Sequence, residues 1–592
     1  MHYNIFPKSH KLLILYREVF KMKKFFALTL SLLLLLMTAV PAFAEDAAEQ
    51  TQAAIVVPGV VESMLNIYEE TNYGQRFYAP ARDFIRDSDN IKKLVFAALK
   101  SLFLFSDKDL DELLVQLNDA AVGALKMNPD GTSAYDIRTA VSGVQNSSVA
   151  ALQNSGRWGD VDNGGAIALP LAERIGADNV FIFSYDWRLG STELADSLRD
   201  FVGDVRALTG AEKINLYGNS YGCQVVAKYL YEYGSGDVIG RVVFNAPAWR
   251  GTRIFKALIT DSKDDLIFNI DAGARVLLRF ILNEFNAEPV AKLIPKRIVR
   301  QVAYTLIKNT VDKYLLYSPG LWCCCAVEDY EQMKAKLLDP TENAALIATV
   351  DDAQYGIMRH IPEMLEQAQN EGIAVAITMN DGTKLFAGDN IDGDGVIDAV
   401  SACGCEAVPY GKHFTDGRTG VHVSPGNNLD LTDSFLPERT WVTTGQTHGQ
   451  SYWDDVTARL IPTLLLTDEI ATVFSDPDFP QFLDSHCPAD DISLVLTGGA
   501  EKTLNPAAGK ITAEIRNNSG ENNVTLTGVT VCGIPYIASP ALGTLKPGET
   551  KTITLTPLKK SADPAYGSVR ITYIDSGIIP LAKSRSFAFK IG

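Results

Sequence analysis

Residues Ile214–Leu230 read INLYGNSYGCQVVAKYL. An apolar run ends, Gly218-Asn219-Ser220-Tyr221-Gly222 follows, and an amphipathic helical pattern begins at once. A strand that turns sharply into a helix lifts a serine Oγ above the sheet edge and aims the helix N-terminus at it. Flanking glycines suit such a turn because the backbone is tight and neighbouring strands pack close. The string alone also describes an ordinary strand-to-helix connection, so a nucleophilic Ser220 needs partners elsewhere in the chain.

The surroundings predict a parallel sheet. AAIVVPGVVES breaks at Pro58-Gly59, and short apolar runs recur at Asn179–Trp187, Lys213–Asn219, Arg241–Pro247, Ile373–Met379 and Thr440–Gln446. Most are rich in β-branched or aromatic residues and end at turn residues. Helical patterns such as Glu193–Leu208 and Ser220–Tyr233 lie between them. Near-continuous apolar strands alternating with helices imply an α/β fold whose sheet is covered on both faces. Residues 251–352 depart from the alternation, being long and mostly helical, and read as a cap inserted between two strands. Lys292, Lys296, Arg297 and Arg300 cluster there, which suits a solvated helix face. After Asp490 the texture changes to short alternating strands split by turns, the pattern of a C-terminal antiparallel β-sandwich at 490–592. The catalytic unit is then expected over 45–485.

Charge and targeting narrow the class. The 592 residues carry a net charge of -17, which offers nothing to neutralise phosphates and argues against a nucleic-acid partner. Lys21, Lys23 and Lys24 precede the run FFALTLSLLLLLMTAV, and Pro41 and Ala42-Phe43-Ala44 follow it. Basic flank, apolar run and small-residue site occur in the order of a signal peptide, so residues 1–44 are expected to be removed and the protein secreted. The competing reading is an uncleaved anchor helix. Eight cysteines, three of them consecutive at Cys323–Cys325, permit disulfides outside the cytoplasm, but their pairing does not follow from sequence.

A catalytic serine needs a histidine base, and the base needs an acid that fixes its tautomer. In this kind of sheet the chain order is serine, acid, histidine. Five histidines follow Ser220: His360, His413, His422, His448 and His486. His448 alone comes directly after an apolar strand, in TWVTTGQTHGQSYW, where a loop carrying the base belongs; His422 stands in reserve. The acid should lie between. LFAGDNIDGDGVIDAVSA supplies Asp389, Asp392, Asp394 and Asp398 after the strand Ile373–Met379. The segment Asp389–Asp398 also fits the start of an EF-hand-type calcium loop, although Ser401 stands where the bidentate carboxylate belongs. No other cofactor is suggested. Two backbone N–H groups must hold the oxyanion, and Tyr221, after the serine, and Val60, after Pro58-Gly59, are the candidates.

Taken together, these pieces resemble the lecithin:cholesterol acyltransferase family. IVVPGVVES resembles its early strand and oxyanion loop, YDWR (Tyr185–Arg188) its most specific short signature, and GNSYG its nucleophile elbow, with Asn219 and Tyr221 in place of the commoner His and Leu. APAWRGT (Ala246–Thr252) is similar to the segment after the next strand, DGDGV (Asp392–Val396) to the acid motif, and QTHG to the motif of the base. The resemblance spans roughly 54–455 and leaves the β-rich C-terminus uncovered. It implies an α/β-hydrolase core with a helical cap, lipid-ester substrates, and Ser220, Asp394 and His448 as nucleophile, acid and base. Hydrolysis and O-acyl transfer both remain open. The apolar helix at Ile91–Phe105 is either a lipid-contact surface or simply buried. The rival function is a non-catalytic extracellular binding protein on a degenerate hydrolase scaffold with a calcium-binding loop.

Overall fold

Seven strands run parallel: β1 (Ala53–Val57), β2 (Val180–Ile182), β3 (Ile214–Asn219), β4 (Ile239–Asn245), β5 (Ala374–Asp381), β6 (Thr440–Thr444) and β7 (Phe482–Asp484). Their spatial order is β7-β6-β5-β4-β3-β1-β2. They belong to a computed structural model that describes residues 52–69, 74–104, 106–161, 166–260, 296–385, 391–448, 456–476, 478–484, 492–497, 503–504, 509–519, 522–531, 534–558, 567–575 and 581–591. The leader at 1–44 and its flank lie outside these residues, as do Lys292, Asp389 and His486.

Side-chain alternation explains why both faces must be covered. On β1, Ala53, Ile55 and Val57 enter one core while Ala54 and Val56 enter another. The same split separates Leu216 from Tyr217, Phe244 from Val243, and Ile377 from Ala376. The first core is closed by helices α2 (Ser191–Thr209) and α3 (Tyr221–Tyr233), the second by α1 (Ala168–Ile175) and α4 (Thr457–Leu466). Burying one aliphatic side chain of this size contributes roughly 1.5–3 kcal/mol, so a strand that is apolar on both sides is worth twice what a half-buried strand is. α2 stops where Gly210 adopts a left-handed φ of 69°, a conformation that glycine takes without strain.

The long connection between β4 and β5 is helical where it is described, with helices at Ile254–Thr260, Lys296–Thr310, Pro319–Cys323, Tyr330–Leu337, Ala344–Ala353 and Ile361–Asn370. A second helical insertion, Ala79–Arg86, Ser88–Leu104 and Lys108–Val122, lies between β1 and β2. The two insertions pack together, with Leu110 and Leu114 against Ile298, Val302 and Leu306. Arg297 pairs with Asp107 at 2.6 Å, so this member of the basic cluster bolts the insertions to each other. On the helix Ser88–Leu104, Ala97 and Ser101 are buried, whereas Phe96, Phe103 and Leu104 are 61%, 70% and 70% exposed. Among the described residues no helix is long and apolar enough to cross a membrane.

The C-terminal residues form β8 (Ile492–Thr497), β9 (Ile511–Asn517), β10 (Val524–Val531), β11 (Ile534–Ser539), β12 (Thr550–Pro557), β13 (Gly567–Asp575) and β14 (Leu581–Ile591). They pair antiparallel in the order β14-β13-β10-β11-β12-β9-β8 around a core that includes Ile515, Ile553 and Ile571. β14 has a further partner on the side away from β13. Lys583 pairs with Thr383 of the short strand Thr383–Lys384, which in turn pairs with Asp392–Gly393. The C-terminal sheet therefore reaches the aspartate-rich segment after β5.

Where α3 passes β1 the two backbones leave no room for a side chain. A Cβ added at Gly222 would sit 2.3 Å from the Val57 carbonyl oxygen and 2.5 Å from that of Pro58. Backbone oxygens cannot step aside as a side chain can, so Gly222→Ala should exceed the ~1–3 kcal/mol usual for overpacking. A Cβ at Gly203, inside α2, meets nothing within 4 Å, and Gly203→Ala removes the entropic penalty of a helical glycine. Thermal melts of the two variants should move in opposite directions: Gly222→Ala down by at least ~5 °C or lost to aggregation, Gly203→Ala unchanged or slightly up.

Candidate active site

Ser220 sits between β3 and α3 with φ 53° and ψ -120°, a backbone conformation that a non-glycine residue holds only when its neighbours enforce it. The enforcement is visible. Ser220 N–H donates to the Asn245 carbonyl at 3.0 Å, and the Ser220 carbonyl accepts from Cys223 N–H at 3.0 Å and Ala248 N–H at 3.2 Å. A Cβ on Gly59 would lie 2.9 Å from the Ser220 Cβ, so the loop after β1 touches the serine directly and only glycine fits there. Ser220 is 8% exposed at the sheet's C-terminal edge.

The loop after β6 brings His448, 19% exposed, to Asp394, 2% exposed. The imidazole Nδ1 lies 2.7 Å from Asp394 Oδ2, and His448 N–H donates to the Asp394 carbonyl at 2.9 Å. The other carboxylate oxygen, Oδ1, accepts from Val396 N–H at 2.8 Å and Ile397 N–H at 2.7 Å. A carboxylate held this way keeps the proton on Nδ1 and leaves Nε2 as the basic nitrogen. Among the described residues, no hydrogen bond joins Ser220 Oγ to the imidazole, and apo catalytic contacts are commonly long. Of the expected anion-hole donors, Tyr221 follows the serine in sequence and Val60 follows Gly59, which presses on it. Among the described residues, neither the Val60 nor the Tyr221 N–H has a protein acceptor.

Segments expected from sequence to matter hold the acid in place. Trp249 Nε1 donates to the Ala402 carbonyl at 2.8 Å, and Thr252 Oγ1 donates to that of Val396 at 2.7 Å. Tyr185 OH donates to the Pro58 carbonyl, and Arg188 is wholly buried in a two-pronged pair with Asp186, at 2.9 and 2.6 Å. YDWR is thus scaffolding beneath the loop after β1.

The other carboxylates of the aspartate-rich segment go elsewhere. Asp392 accepts from Gly382 N–H at 2.8 Å and shares the Asn428 amide with Asp381, at 3.0 Å each. Asp398 caps the helix Ala399–Cys403, accepting from Ser401 N–H and Oγ at 2.9 Å. Among the described residues, no cluster of three or more His, Cys, Asp or Glu is arranged to hold a metal. His422, the reserve base, bonds Gln481 at 2.8 Å and does not join Asp394. The thiols Cys223, Cys323, Cys324, Cys325, Cys403 and Cys405 are all free.

One group was not anticipated. Glu62, in the loop after β1, accepts from Gly59 N–H and from Asn219 Nδ2, the latter at 3.0 and 3.1 Å. It lies close enough to affect His448. Burial pushes that imidazole down, but the charge and hydrogen bond of Asp394, with the charge of Glu62, more than offset it. The net position is above the ordinary 6.5. The only sequence signal for Glu62 was an acidic residue inside an otherwise apolar turn.

Because the folded-state value of His448 is raised, its stabilising contribution is complete below the unfolded value and fades as pH climbs through the folded one. For catalysis the base must be neutral, so the acid limb of kcat/KM should lie above pH 6.5. Asp394→Asn removes the largest upward influence. It should move the limb to lower pH and cut kcat by about 10⁴, as loss of the orienting acid does in triad enzymes. A pH–rate profile on a soluble chromogenic ester reads both.

No family model matches the sequence, and no curated protein matches it. Among solved structures, a β-glucosidase from Streptomyces venezuelae, in complex with D-glucose, is 14% identical over 42% of this chain and 36% of that one, with a TM-score of 0.09. The chain thus spans about a third of that protein, a likeness too slight to carry an argument.

Proposed function

We propose that this protein is a secreted serine-dependent lipid-ester hydrolase or O-acyltransferase, built on an α/β-hydrolase core with residues 251–352 as its cap and the C-terminal sheet as a β-sandwich. The observation that carries the reading is the joint presence of Ser220 in a strained strand-to-helix turn and the His448–Asp394 pair at 2.7 Å, in the chain order serine, acid, histidine. Ser220 Oγ attacks the ester carbonyl while His448 Nε2 takes its proton. The Val60 and Tyr221 N–H groups receive the oxyanion, and the imidazolium returns the proton to the departing alcohol. His448 then deprotonates water or a second alcohol, which attacks the acyl-serine and frees the enzyme.

Lipid esters are favoured over other acyl compounds on two grounds. The resemblance to the lecithin:cholesterol acyltransferase family rests on the same segments that surround Ser220 and Asp394. The exposed Phe96, Phe103 and Leu104 give the helical insertion an apolar face that suits an acyl chain or a lipid surface. Export is supported by the basic, apolar and small-residue order of residues 21–44.

Fluorophosphonate labelling followed by mass spectrometry tests the chemistry. The label should fall on Ser220, vanish in Ser220→Ala, and drop by at least ~10³ in rate in His448→Ala, with p-nitrophenyl ester turnover lost in parallel. A folded wild-type protein that takes no label would end the serine-ester reading and favour a binding role.

A further inference from the structure

Within the serine-ester reading, on which this inference rests, we propose that Glu62 is a positioning residue of the site. Its carboxylate ties the anion-hole loop to the strand that carries Ser220.

The tie is geometric. Glu62 accepts from Gly59 N–H, one residue before the hole donor Val60, and from the Asn219 amide, one residue before Ser220. A single side chain thus spans the two backbone segments that must present N–H groups to the same oxyanion. Asn219 is itself fixed, its Oδ1 accepting from Asn245 Nδ2 at 2.9 Å, and Asn245 Oδ1 accepting from Thr378 Oγ1 at 2.8 Å. The clamp is therefore referenced to β3, β4 and β5 together. A carboxylate suits the position because it can accept at both oxygens, whereas an amide presents a donor at one end.

The charge has a separate consequence. The Glu62 charge acts on three titratable groups: His448 in the loop after β6, Tyr185 in the segment after β2, and Cys223 in α3. Burial first, and Glu62 in addition, keep Tyr185 and Cys223 protonated. His448 is the member of this set that changes charge during turnover. The imidazolium formed when Ser220 loses its proton would carry Asp394 at Nδ1 and a second anion nearby, and both favour it.

Two variants separate tie from charge. Glu62→Gln removes the charge while keeping length; Glu62→Asp keeps the charge and shortens the reach. The His448 imidazole can be titrated by NMR without substrate, and kcat and KM read with p-nitrophenyl butyrate. In Glu62→Gln the His448 titration and the acid limb of kcat/KM should both move to lower pH. In Glu62→Asp the titration should stay near wild type while kcat falls about tenfold with KM within about twofold. A His448 titration identical to wild type in Glu62→Gln, together with unchanged kcat in Glu62→Asp, overturns the proposal while leaving the serine-ester reading intact, provided Ser220 still takes the fluorophosphonate. A wild-type protein that is never labelled overturns both.

Discussion

The site depends on one steric constraint: three backbones meet at Ser220 with no room for a side chain between them. Gly59 presses on the serine from the loop after β1, and Gly222 lies beneath the carbonyls of Val57 and Pro58. With those contacts in place, Ser220 is held at φ 53° because relaxing it would swing the start of α3 into β1. Strain of this kind costs of order 1–3 kcal/mol and persists only where packing over-determines it. Here the packing is the two-sided core of β1 and β3, so the energy that stabilises the sheet also sets the conformation of Ser220. The glycines of the motif are explained by close approach rather than by backbone freedom, since neither Gly218 nor Gly222 has a positive φ.

Above that steric floor runs a chain of polar groups along the strand ends, half-buried at Glu62 and buried beyond it: Glu62 to Asn219, Asn219 to Asn245, Asn245 to Thr378. Each link is worth about 1 kcal/mol net, but breaking one leaves a buried partner unsatisfied at about 1–3 kcal/mol. The chain therefore behaves as a unit that fixes the relative height of β3, β4 and β5. The His448–Asp394 pair depends on that height, because the loop bearing His448 follows β6, which is hydrogen-bonded to β5, while Asp394 follows β5 itself.

Much of this was legible because it rests on periodicity and local turn chemistry. Six of the seven parallel strands overlap apolar runs that end at turn residues, two of them reaching two residues beyond the run, and the serine turn announces itself through paired glycines. The seventh strand, Phe482–Asp484, was hidden because three residues between Pro480 and Asp484 leave too short a run to show a period. The helix Thr457–Leu466 is masked in the sequence as well, since Pro462 inside it reads as a breaker. Ser220, His448 and Asp394 could be named from order along the chain and from the resemblance. Glu62 could not, since a lone acidic residue in a turn is ordinarily solvated, and its importance comes from Asn219, 157 positions away.

The aspartate-rich segment shows most clearly where residue type stops being informative. Asp392, Asp394 and Asp398 are all buried, yet each serves a different partner: an amide and a backbone N–H, an imidazole, and a helix N-terminus. What distributes them is the path of the backbone between. Gly395 turns with φ 95°, and a Cβ on Gly393 would strike the Ile397 carbonyl at 2.2 Å. This tight fold-back returns Val396 and Ile397 N–H to Asp394 and leaves its second oxygen facing the loop after β6. A carboxylate whose first oxygen is already satisfied by two backbone donors cannot rotate to another partner without losing both. The glycines therefore select which carboxylate meets His448, and residue type alone cannot rank the three.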